Sequence, residues 1–387
     1  MFSRIILIAA LAGLAFLSAG SLLNLSSSAH WFVRGWDFPR VQIVAVAYLL
    51  FGVVLIVQYF SQTWSRWISG VALGMTLFLS VWHGYRIYPY TVLAATQAKA
   101  TETALLPIDA GDPNVVRIVF SNVKMENQEF ERWTRAIQDA APDLVVALEV
   151  NQDWMRGMAP LFETFQHRVE VPQDNWYGMT LLSSLPIESQ EVRYLVQEDI
   201  PSIDTIIRLE NGEAFRFVAV HPRPPVPIRD TSATARDAEL ILWGRELDDE
   251  RRPVVIGGDL NDVAWSRTTR LFLRTSQLLD PRRGRGMYNS FDATRPYLRF
   301  PLDHVFFSTH FTLNRLERLP DVGSDHFPIL VELRLAPSAS QRHDPLQQQA
   351  GDKRKANRRI ERAEESENTQ GSAVDDQGEE IEQEDPI

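Results

Sequence analysis

The segment Pro253–Asp262, PVVIGGDLND, joins a short apolar run to two glycines, an acid and an amide. The run Val254–Ile256 is β-branched and lies between a proline and the glycines, which is typical of a buried strand. The glycines allow a sharp turn and a close approach at the end of that strand. Asp259 and Asn261 are two residues apart, so an extended backbone directs both side chains to one side. The segment therefore predicts a site for a cation, a water molecule or a phosphate, although an ordinary Asx turn would also fit it.

Other apolar runs end in a polar side chain or follow an acid–histidine pair. In α/β sheets, sites gather outside the carboxyl ends of the strands, so the two pairs would have to come from antiparallel strands. A carboxylate inside a buried strand is costly unless it is paired or bound to a metal, so Glu149 predicts either a salt bridge to an arginine or a cation site. The polar residues are Asn122, Glu149, His221, Asp303 with His304, and Asp325 with His326.

The spacing of apolar residues predicts more strands than helices between residues 115 and 335. Asn211-Gly212 lies between two apolar runs and predicts a hairpin. Asn127–Ala141 and Thr231–Leu247 have helical spacing and separate other strands. Neighbouring strands are thus joined in some places by hairpins and in others by helices. This pattern predicts mixed sheets covered by helices and disfavours a purely parallel, doubly wound sheet.

Three long apolar segments precede this region: Ile5–Leu23, Val41–Phe60 and Trp67–Tyr85. A helix needs about 20 apolar residues to cross a hydrocarbon core of about 30 Å, and aromatic residues collect near the segment ends, as at a membrane interface. The first segment alone would also fit a cleaved signal peptide, and the other two a buried hairpin. Because all three follow one another, we predict an integral, multi-pass membrane protein with three transmembrane helices.

The sequence leaves open on which side of the membrane the C-terminal part lies. Arg34, Arg40, Arg86 and Lys99 would lie on the same side as that part, and their number favours the cytoplasm. Arg4 and the α-amino group precede the first apolar segment and favour the opposite orientation.

Composition divides the 387 residues into four parts. A membrane segment, 1–95, is followed by a polar linker, 96–114, and by a folded domain, 115–336. The remaining part, 337–387, is rich in charge and poor in large apolar residues, so we predict a disordered tail. The net charge is −11 and much of it falls in the tail, which argues against a protein that coats nucleic acid.

The chain contains no cysteine, which excludes disulfides, thiolate metal sites and cysteine nucleophiles. Oxygen ligands without thiolates favour a hard cation, Mg²⁺ or alternatively Mn²⁺, over zinc, and Asn122 and Glu149 would supply such oxygens. A nearby acid–histidine pair can polarise a water molecule. A cation together with neutral and cationic donors suits in-line displacement at a phosphoryl group. We therefore expect a hydrolase that acts on a phosphate ester.

Seven motifs between residues 115 and 335 follow one another in the order SNV, LEV, YGMTLLSS, HPRPP, GGDLND, LDHVFF and GSDHFP. This ordered set resembles the endonuclease/exonuclease/phosphatase superfamily, which includes pancreatic-type deoxyribonuclease, apurinic endonucleases, sphingomyelinases and inositol-phosphate phosphatases. The resemblance implies an α/β fold, a four-layered sandwich of two mixed β-sheets flanked by helices, here preceded by three transmembrane helices. It also implies metal-dependent hydrolysis of a phosphate ester by a membrane-anchored domain.

The resemblance also implies roles for individual side chains. Asp259 resembles the carboxylate that orients or deprotonates the attacking water, and Asn261 its transition-state partner. His221 resembles the histidine at the scissile phosphate or leaving group, and Tyr177 more loosely matches a phosphate-contacting tyrosine. The other matches are Asn122, Glu149 and Asp325 at the Mg²⁺ site, and Asp303 with His326 as an Asp–His dyad at the phosphate.

The substrate stays open at the level of the sequence. Lys124 stands where some nucleases of the family carry a second carboxylate, which weakens the case for DNA repair and leaves a single-metal site centred on Glu149. The loop with Arg282, Arg283 and Arg285 would suit nucleic acid phosphates or would be a solvated turn. A phospholipid headgroup or a small phosphoester equally suits a domain at the bilayer. The alternative from another class is a catalytically inactive membrane scaffold that uses the fold for binding, and no protein partner is predicted.

Overall fold

The computed structural model describes residues 1–62, 64–102, 112–225 and 232–379, with side chains as far as residue 366. The N-terminal part contains three long helices, and by length and composition each of them is able to span a membrane. The three predicted apolar segments therefore do form helices of the expected length. The helices of this part are α1 (Phe2–Leu22), α2 (Trp31–Gly35), α3 (Arg40–Ser61) and α4 (Arg66–Ile87).

The bundle of α1, α3 and α4 is apolar on its inside and on its outside. Leu14, Ala47 and Leu79 are fully buried between the helices. Trp67 and Val81 point away from the bundle and are 87% and 72% exposed. A bundle in water would present polar outer faces, so this outer surface suits contact with lipid.

Two mixed sheets form the rest of the fold. The first has the strand order β10-β11-β1-β2-β4-β3 and the second β5-β6-β7-β8-β9. In the described chain, β1 pairs in parallel with β2 and β7 with β8, while the other neighbours are antiparallel. The strands are β1 (Val115–Asn122), β2 (Leu144–Leu148), β3 (His167–Val171), β4 (Met179–Ser183), β5 (Ile187–Arg193), β6 (Ser202–Arg208), β7 (Ala214–Val220), β8 (Val254–Asp259), β9 (Asp303–Phe307), β10 (Phe311–Arg318) and β11 (Ile329–Leu335).

The two sheets pack face to face around a common apolar core. Phe120 of β1 stacks on Phe217 of β7, with 5.9 Å between the ring centroids. Ile118 lies in the same core, whereas Val119 faces the opposite side of the sheet, as the alternation of side chains along a strand requires. Because both faces of these strands are covered, nearly every position in them is apolar.

Four helices cover the outer faces of the sheets. Trp133 and Trp154 pack against the first sheet, and Trp243 and Phe272 pack against the second. The order helix, sheet, sheet, helix confirms the predicted four-layered α/β sandwich. The covering helices are α5 (Phe130–Ala140), α6 (Gln152–Gly157), α7 (Thr234–Asp248) and α8 (Arg267–Ser276).

The apolar pattern fails to predict three strands, β3, β5 and β10. Each of them lies at the edge of its sheet. In β5, Glu188, Gln190 and Glu191 are exposed. Edge strands carry charged side chains that prevent pairing with other chains, so the alternation that identifies a half-buried strand is weak there.

The predicted disorder beyond residue 336 is wrong for the part of the tail that the structure describes. Pro337–Arg342 forms a 3₁₀ helix, and α9 (Asp352–Glu379) is a long α-helix. Ala356 of α9 is buried against Ile241 of α7 and Leu271 of α8. Two apolar side chains of α9, Ala356 and Ile360, and ion pairs such as Arg274–Asp352 make this contact, so the charge-rich composition underestimates it. Residues 380–387 lie outside the described chain.

The N-terminal helical segment touches the two-sheet domain directly. Tyr90, in the 3₁₀ turn after α4, donates its hydroxyl to the carbonyl of Ala264 (2.7 Å). The indole of Trp265 donates to the carbonyl of Asp37 (2.6 Å). Of the predicted linker, 96–114, residues 103–111 lie outside the described chain, and Ala100 forms a parallel bridge with Leu313 of β10.

Candidate active site

Five of the predicted side chains lie at adjacent strand ends of the two sheets. Asn122 is the last residue of β1, and Glu149 directly follows β2, its parallel neighbour. Asp259 is the last residue of β8, and His221 directly follows the parallel strand β7. Asp303 begins β9, where the antiparallel register places it opposite Asp259. Asp303, at the start of its strand, therefore reaches the site by an antiparallel pairing, as expected.

Asn122 links the carboxylates of the two sheets. Its Nδ2 donates to Oε1 of Glu149 (2.8 Å) and to Oδ2 of Asp259 (3.2 Å). Its Oδ1 accepts from the backbone N–H of Lys124 (3.0 Å). The amide is therefore oriented as a donor to both acids, and it fixes the position of one relative to the other.

Asp303 and His326 form a buried dyad beside Asp259. His326 donates from Nδ1 to Oδ2 of Asp303 over 2.7 Å, and its Nε2 lies 3.5 Å from Oδ2 of Asp259. The other oxygen of Asp303, Oδ1, is buried and has no hydrogen-bond partner in the described chain. The imidazole thus lies between two carboxylates: Asp303 orients it through Nδ1, and Asp259 faces Nε2.

The charges of this group depend on one another. Burial alone would lower the pKa of His326, but Asp303 and then Asp259 outweigh it and raise this pKa to about 10. Burial raises the pKa of Asp259 above its usual range, and the neighbouring His326 only partly offsets that effect. Near neutral pH, His326 is therefore a cation, and Asp259 is a stronger base than an exposed aspartate.

Glu149 is held in an unusual backbone conformation at the end of β2. Its φ of 64° lies in the left-handed region, which is uncommon for a residue with a side chain and often marks a functional position. Oε2 accepts from the backbone N–H of Met125 (3.2 Å), and burial raises the pKa of the carboxyl. In the described chain no arginine or lysine forms an ion pair with it, so the salt-bridge alternative for Glu149 is not observed.

His221 and Tyr177 lie on one side of the group. Their ring centroids are 5.4 Å apart, and Nε2 of His221 is 3.8 Å from Oδ2 of Asp259. Burial lowers the pKa of His221 to about 3, and its Nδ1 has no partner among the described atoms. Arg223 stacks over Tyr177 at 5.1 Å and forms an ion pair with Asp199. This edge of the site thus combines a neutral imidazole with a phenol and a guanidinium.

Asn261 is positioned by an arginine that the sequence motifs do not include. The Asn261 backbone has a φ of 51°, its N–H donates to Oδ1 of Asp259 (2.8 Å), and its Nδ2 donates to the carbonyl of Pro222 (3.1 Å). The buried Arg236 of α7 donates to the Asn261 carbonyl (2.6 Å) and approaches Asp262 to 3.4 Å. The Asx turn is thus real, and it serves to direct the loop toward the site. An arginine inside the apolar helical pattern of α7 is the signal that could have identified it.

The basic loop does not face solvent as one surface. Arg282 is buried, forms an ion pair with Asp280 (2.8 Å), and donates to Nδ1 of His304 (2.7 Å). His304 in turn donates from Nε2 to the carbonyl of Asp262 (2.9 Å). Arg285 donates to the carbonyl of Ala98 (2.7 Å). Arg282 and Arg285 thus bind within the chain, whereas Arg283 is partly exposed and lies over the Tyr90 ring at 5.7 Å. The three arginines therefore do not form the continuous surface that a nucleic acid contact would use.

Asp325 lies at the more exposed edge of the group. Its Oδ2 is 3.5 Å from Nζ of Lys124, and both side chains are partly exposed. Burial and, to a smaller extent, the charge of Asp325 raise the pKa of Glu149, which places Asp325 near that carboxylate. Lys124, which stands where some family nucleases have an acid, therefore offsets one negative charge at this edge.

The donors present fit a hard divalent cation. Glu149, Asp259 and Asp303 are carboxylates with little access to water, and His326 is the cation that lies among them. One ligand atom each of Asp259, Asp303 and His326 lies within 4.8 Å of the others. A buried group with this excess of negative charge is costly unless a cation balances it, and oxygen donors select Mg²⁺ or Mn²⁺.

A two-sheet α/β sandwich with buried acids and histidines at its strand ends defines the class of phosphoesterase and nuclease folds. The sequence profile of the Endonuclease/Exonuclease/phosphatase family matches residues 119–326, more than half of the chain. The chain belongs to this family. No curated protein matches it at a significant level.

Solved structures with a similar fold include the following three. Humanized D. rerio TDP2 is 13% identical with a TM-score of 0.46, covering 57% of this chain and 99% of its own. The human Nocturnin catalytic domain is 14% identical with a TM-score of 0.47, covering 58% and 95%. A family protein from Bacteroides thetaiotaomicron is 16% identical with a TM-score of 0.48, covering 57% and 98%. The family assignment rests on the profile match.

Proposed function

We propose that this protein is a membrane-anchored, divalent-cation-dependent hydrolase of phosphate esters. The observation that carries the proposal is the buried series Asp303, His326 and Asp259, next to Glu149 and Asn122. It combines a cationic donor, a carboxylate of raised pKa and a further carboxylate without an ion-pair partner in the described chain. These are the groups needed to bind a phosphoryl group, accept a proton and hold a cation.

Glu149 is the proposed main ligand of the cation. Asn122 holds Glu149 in place, and Asp325 adds negative charge nearby. When bound, Mg²⁺ or Mn²⁺ would balance charge on a phosphoryl oxygen. The left-handed backbone of Glu149 and its bond to the N–H of Met125 fix the carboxylate before any ligand arrives.

Asp259 is the proposed general base. Its Oδ1 accepts from the N–H of Asn261 and its Oδ2 from Asn122, so the carboxylate has one orientation. A base with a pKa raised toward neutrality accepts a proton from water more readily than an ordinary aspartate. In the proposed reaction the water oxygen bonds to phosphorus, its proton passes to Asp259, and the bond from phosphorus to the ester oxygen breaks.

His326 is the proposed donor to the phosphoryl group. Asp303 keeps its imidazole charged, and the Nε2–H points to the side of Asp259 where the reacting group would lie. A fixed cation in a buried site stabilises the negative charge that develops in the transition state. His221, neutral at working pH, and Tyr177 lie at the edge where the leaving group or a second phosphate oxygen would be held.

The location and the substrate class belong to the proposal as well. The outward apolar surface of α1, α3 and α4 supports an integral, multi-pass membrane protein. A nucleic acid, a phospholipid or a small phosphoester each has the required bond. Since Arg282 and Arg285 bind within the chain, Arg223 and Tyr177 are the rim residues that we expect to select among them.

The test uses the full-length chain in neutral detergent, with bis-p-nitrophenyl phosphate and p-nitrophenyl phosphate as substrates and Mg²⁺ or EDTA in the buffer. We expect hydrolysis that EDTA abolishes. Asp259→Asn should reduce kcat about a thousandfold, because it removes the base but keeps the shape of the side chain.

The matched control is Asp321→Asn, which removes an exposed carboxylate that pairs with Arg132. Its activity should equal that of the wild type. If Asp259→Asn retained wild-type activity, the proposal would fail. If the wild type bound the substrates without turnover in Mg²⁺ or Mn²⁺, the inactive scaffold would be the correct description.

A further inference from the structure

A cavity of about 410 Å³ lies where the membrane segment, α8 and α9 meet. Of the fifteen described residues that line it, nine are arginine or lysine, and Asp237 is the one acid among these fifteen. None of the proposed catalytic or cation-binding residues lines this cavity. It is therefore a second, separate and strongly cationic site.

The carboxylates near the cavity balance only part of its positive charge. Asp237 forms ion pairs with Arg34 and Arg236, and Arg359 approaches it to 3.7 Å. Asp352 of α9 forms ion pairs with Arg274 (2.6 Å) and Lys355 (3.3 Å). Asp237 and Asp352 thus form ion pairs with four of the nine described lining cations.

The other five cations have no ion-pair partner among the described residues. Arg270 donates from Nε to the carbonyl of Ser266 (3.0 Å), and Arg362 donates to the carbonyl of Ser27 (3.2 Å). Arg267 similarly bonds to backbone carbonyls after α1. Backbone carbonyls orient these groups without neutralising them. Arg86 and Arg358 also line the cavity, and neither forms a salt bridge within the described chain.

This excess charge is partly withdrawn from water. Burial, together with the nearby Arg86, lowers the pKa of Arg270 to about 10. Burial also lowers the pKa of Arg267 and of Arg359. The Nε atoms of Arg34 and Arg359 are buried with no hydrogen-bond partner among the described atoms. Partly buried cations without an ion-pair partner, here Arg267 and Arg270, destabilise a fold, so an anion in the cavity would remove a cost that the chain otherwise bears.

The cavity lies at the level where the apolar helices end. Arg86 is in the last turn of α4, and Arg34 is in α2, which connects the first apolar helix to the second. The same connection exposes Leu25 (62%) and Phe32 (47%). Basic pockets beside transmembrane helices attract anionic headgroups. The exposed apolar side chains suit contact with acyl chains, which a soluble anion does not have.

We propose that this cavity binds the phosphate-bearing headgroup of an anionic phospholipid from the membrane that holds the anchor. The bound headgroup fixes α9 and α8 to the end of the membrane segment, because the phosphate contacts cations from all three. The inference rests on the proposed membrane anchoring and is independent of the proposed catalysis.

The test measures lipid binding to the full-length chain in neutral detergent by native mass spectrometry. Phosphatidylglycerol is titrated against the wild type and against the variant Arg270→Gln/Arg358→Gln/Arg362→Gln. We expect the variant to bind on the order of 100-fold more weakly, because each surface cation contributes about 1 kcal/mol to the attraction of anionic lipid. Without lipid the variant should melt no lower than the wild type, because it has lost crowded positive charges.

The matched control is Arg132→Gln/Arg135→Gln/Arg156→Gln, which removes three exposed arginines from the helices over the first sheet. It should bind phosphatidylglycerol like the wild type. Should the triple variant fold poorly, the exposed Arg358→Gln alone is expected to weaken binding about fivefold. Equal binding by the triple variant and the control would overturn the proposal, as would equally tight binding of phosphatidylcholine. Equally tight binding of glycerol 3-phosphate or inorganic phosphate would show that the ligand is a soluble phosphate and would also overturn it.

Discussion

At the scale of single residues, the candidate site depends on an imidazole whose charge is set by its neighbours. Asp303 is the largest favourable influence on the charged form of His326, and Asp259 is the next. The same imidazolium partly lowers the pKa of Asp259. The proposed phosphate donor, His326, and the proposed base, Asp259, are therefore not independent, and a change to one alters the pKa of the other.

The substitution Asp303→Asn tests this dependence. It removes the main cause of the raised pKa of His326, so the imidazole should lose its proton at a lower pH than about 10. Activity that requires the charged form is present below that pKa and is lost as the pH rises through it. In Mg²⁺-saturated buffer, we expect kcat to fall about a hundredfold at neutral pH and the alkaline limb of the pH–rate profile to move to lower pH. An unchanged alkaline limb would show that Asp303 does not control this charge.

The sequence predicts which residue types gather at the site but not how their atoms are oriented. The strand ends identify Asn122, Glu149 and Asp259, because sites in α/β folds gather where buried apolar strands end. The direction of the Asn122 amide toward Asp259 depends on a contact across more than a hundred residues of chain, and the role of Arg236 on a contact between a helix and a distant loop. Such contacts leave no local periodicity. The sequence shows at most that an arginine lies in the apolar helical pattern of α7, and the folded arrangement shows what it binds.

At the scale of elements, α7 places an ionisable side chain in the core beside the second sheet. Glu239 of α7 is buried and accepts a hydrogen bond from Ser202 of β6 (2.9 Å). Burial raises its pKa from the ordinary value of 4.5 to about 7. Between these values the unfolded chain releases the proton and the folded chain keeps it, so stability falls as the pH rises through that range.

Glu239→Gln should remove this pH dependence, since glutamine keeps a partner for Ser202 and does not ionise. At pH 8 the variant should be more stable than the wild type by up to about 3 kcal/mol, because one pKa unit corresponds to about 1.4 kcal/mol. Near pH 4 the two should be alike. Thermal melts across this range measure the difference, with the exposed Glu131→Gln as control. A constant difference at every pH would contradict the assignment.

The elements that the sequence misses share a physical cause. Strands β3, β5 and β10 lie at sheet edges, and α9 packs through a few apolar side chains and ion pairs. Each is stabilised by a neighbour and not by its own apolar pattern, so a periodicity argument has little to detect. The central strands and the three apolar helices have strong patterns of their own, and the sequence predicts them for that reason.

At the scale of the whole molecule, the N-terminal helical segment contributes to the core of the two-sheet domain. Tyr90 is buried against Trp265 with 6.0 Å between ring centroids, and the same cluster includes Val263 and Leu302. Val263 and Trp265 follow directly after the loop that carries Asp259 and Asn261. The turn after the last apolar helix therefore covers an apolar surface next to the candidate site, and a fragment without it would expose that surface.

Two soluble fragments test this contribution: one that begins at Tyr88 and one that begins at Asp112, both ending at Glu379. The longer fragment keeps Tyr90 and the bridge between Ala100 and Leu313. Burying an aromatic side chain of this size contributes about 2 to 3 kcal/mol, and in a domain of this length each kcal/mol shifts the melting temperature by about 2 to 4 °C. We therefore expect the shorter fragment to melt about 5 to 10 °C lower. Tyr90→Ala in the longer fragment should reproduce most of the loss, because it removes the ring and its hydroxyl bond to Ala264. Equal melting temperatures for the two fragments would mean that residues 88–111 do not stabilise the domain.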